Sequence, residues 1–394
     1  MAAIAILCSI ETGHLYPSFG LAEVLRQDGH DITYLVMEDM ERSVREAGFS
    51  AEVILSEIYP AGSGMEEIAH LLPLLNGALD RALAQIKPDL LLIDYAFSFE
   101  ALLLYYRYSI RQALFCTYLR EPDRTPKRKC ADFIMQLDSD IAAPLLEFIL
   151  QLPGYGNCKT IEQILAPITS ITELILCPRE LDLPEREFNG QTVYHIGPCI
   201  RNITRALVPG SAVMDKAEGS EKLIYVSFGS RVSHYSDAFT HLIDELCIIA
   251  RREAFVNYRF VITAGDLQHI KEAADLPPNI VIMKWVRQDE WISKSDLVIT
   301  HGGLGGIKEC IFFGVPMIVV PMLRDQPENA LRVVRHNLGR QIDANMLSAD
   351  HLGRTICEVL DDRTIKERVT EMKTLFCNIE RERRESRIVD EILK

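Results

Sequence analysis

A histidine and an aspartate stand where the first and fourth predicted strands end. His14 follows the apolar run Ile4–Cys8, and Asp94 closes the run Leu90–Asp94. An imidazole titrates near neutral pH and can take a proton from a hydroxyl, and an adjacent carboxylate can hold its tautomer and stabilise its cation. We therefore expect His14 to be a general base with Asp94 as its partner. A surface loop histidine and a helix N-cap are the plain alternatives.

A glycine-rich turn further along the chain could bind an anion. The β-rich run Asp296–Thr300 is followed by His301, by the glycines Gly303, Gly305 and Gly306, and then by a segment with helical spacing. Such a strand–turn–helix junction presents backbone N–H groups and the positive end of a helix dipole. The junction predicts a diphosphate site, in which preorganised donors stabilise the charge of a leaving group without a metal ion.

The residues around this turn resemble the donor-binding signature of the family 1 (UDP-sugar dependent) glycosyltransferases. In that signature a WxxQ element precedes HGG or HCG, a glutamate and then a DQ or EQ pair. The matching residues here are Trp285, Gln288, His301, Gly302, Gly303, Glu309, Asp325 and Gln326. Four matches in the right order are far more specific than a glycine-rich loop alone. The family opening around Gly13-His14 and its Asp-bearing strand at Pro88–Asp94 match as well, which carries the base–aspartate pairing over to His14 and Asp94.

The resemblance implies a role for each donor-site residue. Trp285 would stack on the uracil ring and Gln288 would contact the base or ribose, although tryptophan is more often core packing. Glu309 would accept hydrogen bonds from both ribose hydroxyls. Asp325 and Gln326 would hold the sugar hydroxyls, with a helix N-cap as the alternative for Asp325.

Ser230 would face the diphosphate from the first C-terminal strand, together with His301. Two positions depart from the family pattern, because Arg287 stands where proline is usual and Gly306 where serine or threonine commonly binds phosphate. The second departure removes one side-chain donor. The only D-x-D match, Asp138-Ser139-Asp140, lies in a helical region and is interpreted as a solvated helix face, so we expect no metal site.

Strand-like and helix-like runs alternate along two series, which predicts an α/β protein with parallel sheets. The resemblance implies the GT-B arrangement, two Rossmann-like domains facing across a cleft. We expect an N-terminal acceptor domain over residues 1–205, a linker at 206–220 and a nucleotide-sugar domain at 221–360. Residues 361–394 would form a C-terminal helix that crosses back to the N-terminal domain. Residues 121–170 break the rhythm and are expected to be a helical insertion on the acceptor side.

Charge and composition exclude several classes of partner. The chain has 394 residues and a net charge of −14, which argues against a nucleic-acid or anionic-membrane partner. Its ten cysteines contain no C-x-x-C pair, a pattern typical of buried thiols in a reducing compartment. The sequence contains no uncharged apolar stretch of about 18 residues, so a membrane span is not expected. The apolar N-terminal residues lack a preceding basic region and are interpreted as a strand. We expect a cytoplasmic protein.

The function predicted on these grounds is inverting transfer of a hexose, most simply glucose, from a UDP-sugar to a hydroxyl of a small apolar acceptor. The UDP-sugar would be a co-substrate, and no cofactor is expected. Two alternatives stay open: transfer to a membrane lipid intermediate, and non-catalytic binding of a nucleotide sugar on the same fold. The acceptor pocket is expected on the N-terminal domain, among Phe97, Phe99, Tyr105, Tyr106 and the helical insertion, although aromatic residues at helical spacing are more often core.

Overall fold

The structure is a computed structural model, and it describes residues 1–9, 12–55, 77–184, 188, 190–200, 221–229, 232–267 and 275–394. The predicted linker at 206–220 and the predicted site residue Ser230 lie outside these ranges. Within them the chain forms two compact units. One comprises Met1–Glu180, Pro184–Arg201 and Arg383–Lys394, and the other comprises Leu181–Leu183 and Asn202–Glu382.

The first unit is built on a seven-stranded parallel sheet with the order β3-β2-β1-β4-β5-β6-β7. Its strands are β1 (Ala3–Leu7), β2 (Asp31–Met37), β3 (Ser50–Leu55), β4 (Leu90–Asp94), β5 (Arg111–Cys116), β6 (Thr172–Ile175) and β7 (Val193–His195). Its helices are α1 (Thr12–Gln27), α2 (Glu38–Glu46), α3 (Ala78–Ile86), α4 (Ser98–Leu104), α5 (Pro126–Gln136), α6 (Ser139–Gln151) and α7 (Ile161–Leu165). Strand β4 is buried at every position, as expected of a central parallel strand covered on both faces.

The second unit contains a six-stranded parallel sheet with the order β10-β9-β8-β11-β12-β13. Its strands are β8 (Lys222–Ser227), β9 (Tyr258–Thr263), β10 (Ile280–Met283), β11 (Leu297–Thr300), β12 (Met317–Val319) and β13 (Gly339–Gln341). Its helices are α8 (Ser236–Ala250), α9 (Gln288–Lys294), α10 (Leu304–Phe313), α11 (Gln326–Arg335), α12 (Ala349–Asp361) and α13 (Arg363–Glu382). The predicted α/β class with two Rossmann-like sheets is confirmed.

The charged C-terminal tract forms two helices rather than one. Helix α13 buries an apolar stripe of Ile365, Val369, Met372, Phe376 and Ile379, which recur at helical spacing in the sequence. The helix lies along α10, where Lys373 donates from Nζ to the backbone oxygen of Phe313. Arg383 then takes a left-handed backbone conformation (φ 50°) that separates α13 from α14 (Arg384–Leu393).

Helix α14 packs within the first unit. The Nη2 atom of Arg383 lies 2.6 Å from Oδ1 of Asp28 and donates to the backbone oxygen of Val24. Ser386 also bonds to the Asp28 carboxylate. These contacts fix the start of α14 against the C-terminal end of α1.

The region from residue 121 to 170 is helical, as predicted, and contains α5, α6 and α7. Asp138 and Asp140 are exposed at the start of α6, which agrees with their interpretation as a solvated helix face.

Among the described residues no helix is long and apolar enough to cross a membrane. All ten cysteines fall within the described ranges and none forms a disulfide.

Candidate functional site

The candidate catalytic pair lies at the carboxyl edge of the first sheet. Strands β1 and β4 are hydrogen-bonded neighbours, with Leu7 opposite Ile93, so the residues that follow them meet at one edge. The Nδ1 atom of His14 lies 2.9 Å from Oδ2 and 3.0 Å from Oδ1 of Asp94. The sequence therefore predicted a pair that the structure brings together.

Asp94 is held rigidly for this contact. Its side chain is fully buried and accepts from the backbone N–H of Ser9 at 3.2 Å and of Ala96 at 2.8 Å. The bond to Ala96 caps the short 3-10 helix Tyr95–Phe97, so the N-cap alternative and the histidine contact are both present. Because a carboxylate only accepts, Nδ1 of His14 is the donor, and Nε2 is the nitrogen that can take a proton.

His14 lies in the first turn of α1. Proline is common at the first helical position, so the sequence predicts a helix from Pro17 to Gln27; this prediction is wrong, because α1 begins at Thr12 and contains Pro17. A proline inside a helix removes the bond to the carbonyl four residues earlier, which here belongs to Gly13. That single loss near the start of a 16-residue helix does not interrupt it. His14 consequently sits on a helix, with its side chain only 14% exposed and its ring 6.1 Å from that of Tyr118.

Most of the predicted acceptor aromatics belong to the hydrophobic core of the first unit or pack against it. Phe99 is part of the hydrophobic core of the first unit, and Phe97 and Tyr105 pack against that core. Tyr106 stays exposed and contacts the ring of Tyr155 edge-on. The core interpretation therefore accounts for most of these residues.

The predicted diphosphate turn follows β11 in the second unit. Gly302 has a φ of +92°, and a Cβ there would lie 2.7 Å from Cγ1 of Val319, so only glycine fits. Its N–H donates to Oγ1 of Thr300 at 3.3 Å. Helix α10 begins at Leu304 with Gly305 and Gly306 in its first turn, which gives the strand–turn–helix junction expected of an anion site.

His301 is electrically neutral at physiological pH. Burial lowers the pKa of its imidazole to about 4, and a hydrogen bond to the backbone of Ser227 opposes this only in part. Its ring lies close to Gly229 and Gly303, where an added Cβ would approach within 3.0 Å. The neutral imidazole carries no charge, its single N–H donates to the backbone of Ser227, and its other nitrogen is an acceptor.

A chain of side-chain hydrogen bonds holds Glu309. The Oγ atom of Ser227 donates to Oε1 of Gln288 at 2.9 Å, and Nε2 of Gln288 donates to Oε2 of Glu309 at 2.5 Å. Burial raises the pKa of the Glu309 carboxyl to about 7, although the bond from Gln288 lowers it. Sequence reasoning missed Ser227, although it is the last residue of β8, the strand from which Ser230 was expected to face the diphosphate.

The two tryptophans differ in exposure. Trp285 is 50% exposed, whereas Trp291 is a buried core residue. An exposed indole at the end of a strand is available for stacking, so core packing does not account for Trp285. Arg287, at the position where proline is usual, forms ion pairs with Asp289 at 3.0 Å and Glu290 at 2.8 Å at the start of α9.

The predicted sugar pair opens helix α11. Asp325 occupies the N-cap position but makes no side-chain capping bond; its Oδ2 accepts from Nδ2 of Asn329 at 2.8 Å instead. The Oε1 atom of Gln326 accepts from the backbone N–H groups of Met322 and Leu323, both at 2.8 Å. These bonds orient the carboxamide of Gln326 and leave its Nε2 as the atom that could meet a ligand.

Within the described residues no cluster of three or more His, Cys, Asp or Glu side chains is arranged to hold a metal ion. The backbone N–H groups of the turn and the start of α10 are suited to binding a diphosphate, and the half-buried Glu309 can accept hydrogen bonds from a nucleoside.

Comparison with known proteins places these features in a family. Residues 208–379 match the family model described as UDP-glucoronosyl and UDP-glucosyl transferase. The chain is 27% identical to the UDP-glucosyltransferase YdhE of Bacillus subtilis, itself described as uncharacterized, over 91% of this chain and 90% of the relative. It is 22% identical to the NDP-glycosyltransferase YjiC of Bacillus subtilis, over 92% and 90% of the two chains.

A solved structure shows the same fold. The glycotransferase of kitacinnamycin superposes with a TM-score of 0.74 at 24% identity, and the match covers 100% of this chain and 99% of that one. The fold is therefore the two-domain GT-B fold. With the full-length relatives and the ordered donor signature in agreement, the family-model match assigns residues 208–379 to the UDP-glucuronosyl and UDP-glucosyl transferase family, and the whole chain resembles the family 1 glycosyltransferases.

Proposed function

We propose that the protein is an inverting glycosyltransferase that moves glucose from UDP-glucose to a hydroxyl of a small apolar acceptor. The observation that carries the proposal is the hydrogen bond from His14 to the buried carboxylate of Asp94. A binding protein for nucleotide sugars has no use for an oriented base of this kind.

The proposed reaction is one in-line displacement. The acceptor oxygen forms a bond to the anomeric carbon while the bond from that carbon to the diphosphate oxygen breaks, and the electron pair leaves with UDP. The acceptor proton passes to Nε2 of His14, and Asp94 stabilises the resulting imidazolium through Nδ1. A single displacement inverts the configuration at the anomeric carbon.

The donor assignment is supported by the residues around the turn and by the relatives. Glu309 can accept from the ribose hydroxyls, exposed Trp285 can stack on uracil, and the name of the relative YdhE specifies UDP-glucosyl transfer. Donors with another nucleotide or a deoxysugar are the competing choice. Thermal shift with a panel of nucleotide sugars discriminates among them, because a ligand that binds the native state raises the melting midpoint by mass action.

We further propose that transfer needs no metal ion and no cofactor. The charge that grows on the leaving diphosphate would be stabilised by the backbone N–H groups of the turn and by the start of α10. Transfer measured in excess EDTA should equal transfer in magnesium. An absolute requirement for magnesium or manganese would contradict this proposal.

A natural-product acceptor is supported by the likeness to the kitacinnamycin glycotransferase, and a cytoplasmic location by the ten cysteines without a disulfide. Transfer to a membrane lipid intermediate is the alternative. The test is acceptor-dependent release of UDP from UDP-glucose with a panel of phenols, alcohols and polyprenyl lipids. Release only with lipid would favour the alternative, and release with no acceptor in the panel would overturn the proposed class of acceptor.

A further inference from the structure

Asn329 is a fully buried amide that joins the diphosphate turn to the sugar pair within the second unit. Its Nδ2 donates to the backbone oxygen of Gly302 at 3.0 Å and to Oδ2 of Asp325 at 2.8 Å. Its Oδ1 accepts from Nη1 of Arg332 at 2.9 Å. Arginine only donates, and carbonyl and carboxylate oxygens only accept, so these partners allow a single orientation of the amide.

The bond to Gly302 sets the direction of a neighbouring donor. The peptide group between Gly302 and Gly303 is planar, and in a trans peptide the C=O and the N–H point to opposite sides. With the carbonyl held inward by Asn329, the N–H of Gly303 is directed outward, at the start of α10. This N–H is one of the backbone groups assigned to the diphosphate.

The hydrogen bond from Asn329 to Asp325 affects the predicted sugar-binding pair. Burial raises the pKa of the Asp325 carboxyl, and the N–H of Asn329 opposes that effect by stabilising the ionised form. Arg332, which orients Asn329, is itself buried and fixed by Asp182, whose Oδ1 lies 3.0 Å from Nε and 2.9 Å from Nη2. The amide of Asn329 is thus oriented by Arg332 and hydrogen-bonded to both Gly302 and Asp325.

We propose that Asn329 is a positioning residue that holds the diphosphate-binding peptide and the sugar-binding carboxylate in one fixed geometry, an inference that rests on the proposed function. Asn329 makes no ligand contact in this proposal. Its loss should therefore weaken the contribution of the diphosphate and the sugar to binding and leave the contribution of the nucleoside unchanged.

The experiment is titration calorimetry of uridine, UDP and UDP-glucose against the full-length protein and its variants. Asn329→Asp is nearly isosteric but cannot donate to Gly302 or Asp325. We expect its affinity ratio of UDP to uridine to fall about ten-fold, the scale of one lost buried hydrogen bond, with uridine affinity unchanged. Leu331→Ala, at an exposed position of the same helix, should leave all three affinities unchanged.

A second variant separates the two bonds of Asn329. Asn329→Asp/Asp325→Asn restores a donor–acceptor pair between positions 325 and 329, but the Gly302 oxygen still lacks its donor. We expect the melting temperature to recover while the ratio of UDP to uridine affinity stays low. A ratio that recovers, a ratio unchanged in Asn329→Asp, or failure of both variants to fold would overturn the inference. Absence of uridine and UDP binding in the wild type would instead overturn the proposed function, and this inference with it.

Discussion

His14 donates from Nδ1 to the fully buried carboxylate of Asp94, with the nitrogen 2.9 Å from Oδ2 and 3.0 Å from Oδ1. His14 follows β1, Asp94 is the last residue of the adjacent parallel strand β4, and the carboxylate accepts from two backbone N–H groups. The imidazole is therefore presented with one tautomer and one orientation, as a general base requires.

Substitution of His14 should lower kcat more than substitution of Asp94. His14→Ala should lower kcat by about 10² to 10⁴-fold, the usual contribution of a general base, with UDP affinity unchanged. Asp94→Asn should cost less, because the base is retained but loses the carboxylate that stabilises its cation. Steady-state kinetics together with UDP titration measures both. Near-normal turnover of His14→Ala would exclude His14 as the base.

Nucleoside binding should depend on pH through Glu309. The carboxylate must be ionised to accept from both ribose hydroxyls, and its pKa is raised to about 7, so affinity should rise with pH through 7. Between pH 8 and pH 6 uridine affinity should fall about ten-fold, since each pH unit below the pKa lowers the ionised fraction up to ten-fold. Uridine is used because it carries no phosphate that titrates in this range, and the pKa of His301, about 4, lies below it.

Glu309→Gln is the matched control for this pH effect. The variant should bind uridine more weakly than the wild type by roughly 1.5 to 3 kcal/mol at pH 8, because it loses charge-assisted hydrogen bonds, and its affinity should be flat with pH. A slope retained in Glu309→Gln would assign the titration to another group.

A hydroxyl added at Gly306 should tighten UDP binding. The backbone there is not left-handed, and a Cβ would meet only Nε2 of Gln288 at 3.7 Å and Oγ1 of Thr300 at 3.9 Å, so serine fits. We expect Gly306→Ser to improve UDP affinity about three- to ten-fold, the range of one added hydrogen bond. Gly306→Ala adds the same Cβ without a donor and should leave affinity unchanged. Equal effects of the two substitutions would mean that no hydroxyl contact to phosphate is made.

Gln326 should act on the sugar and not on the nucleotide. Gln326→Glu keeps an acceptor for the N–H groups of Met322 and Leu323 but removes the Nε2 donor, whereas Gln326→Ala removes both. We expect Gln326→Glu to lower the affinity ratio of UDP-glucose to UDP about ten-fold. An unchanged ratio, with both ligands weakened equally, would show that the residue does not recognise the sugar.

The sequence predicted those parts of the structure that depend on local pattern. Alternating apolar runs indicated the two sheets, and the position of Asp94 at the end of a buried strand placed it beside His14, because parallel strands share a carboxyl edge. The helical stripe from Ile365 to Ile379 was recognisable from its spacing.

Contacts between side chains distant in sequence could not be predicted in this way. The bonds from Ser227 through Gln288 to Glu309 join three separate elements, and no spacing rule connects them. The orientation of Asn329 is set by its hydrogen bonds with Arg332 and Gly302, and the sequence pattern does not predict these bonds either. The early start of α1 could not be predicted, because proline often occupies the first helical position and Pro17 therefore indicates a later start.

The central claim is inverting transfer from UDP-glucose with His14 as the base, and the most direct measurement is the anomeric configuration of the product. The reaction of UDP-α-glucose with an active phenol or alcohol acceptor would be followed by proton NMR, with His14→Ala as the control. We predict a β-glucoside as the initial product of the wild type, and a rate at least about 10²-fold lower in the variant. An α-glucoside, or a β-glucoside formed equally fast by both proteins, would contradict the account.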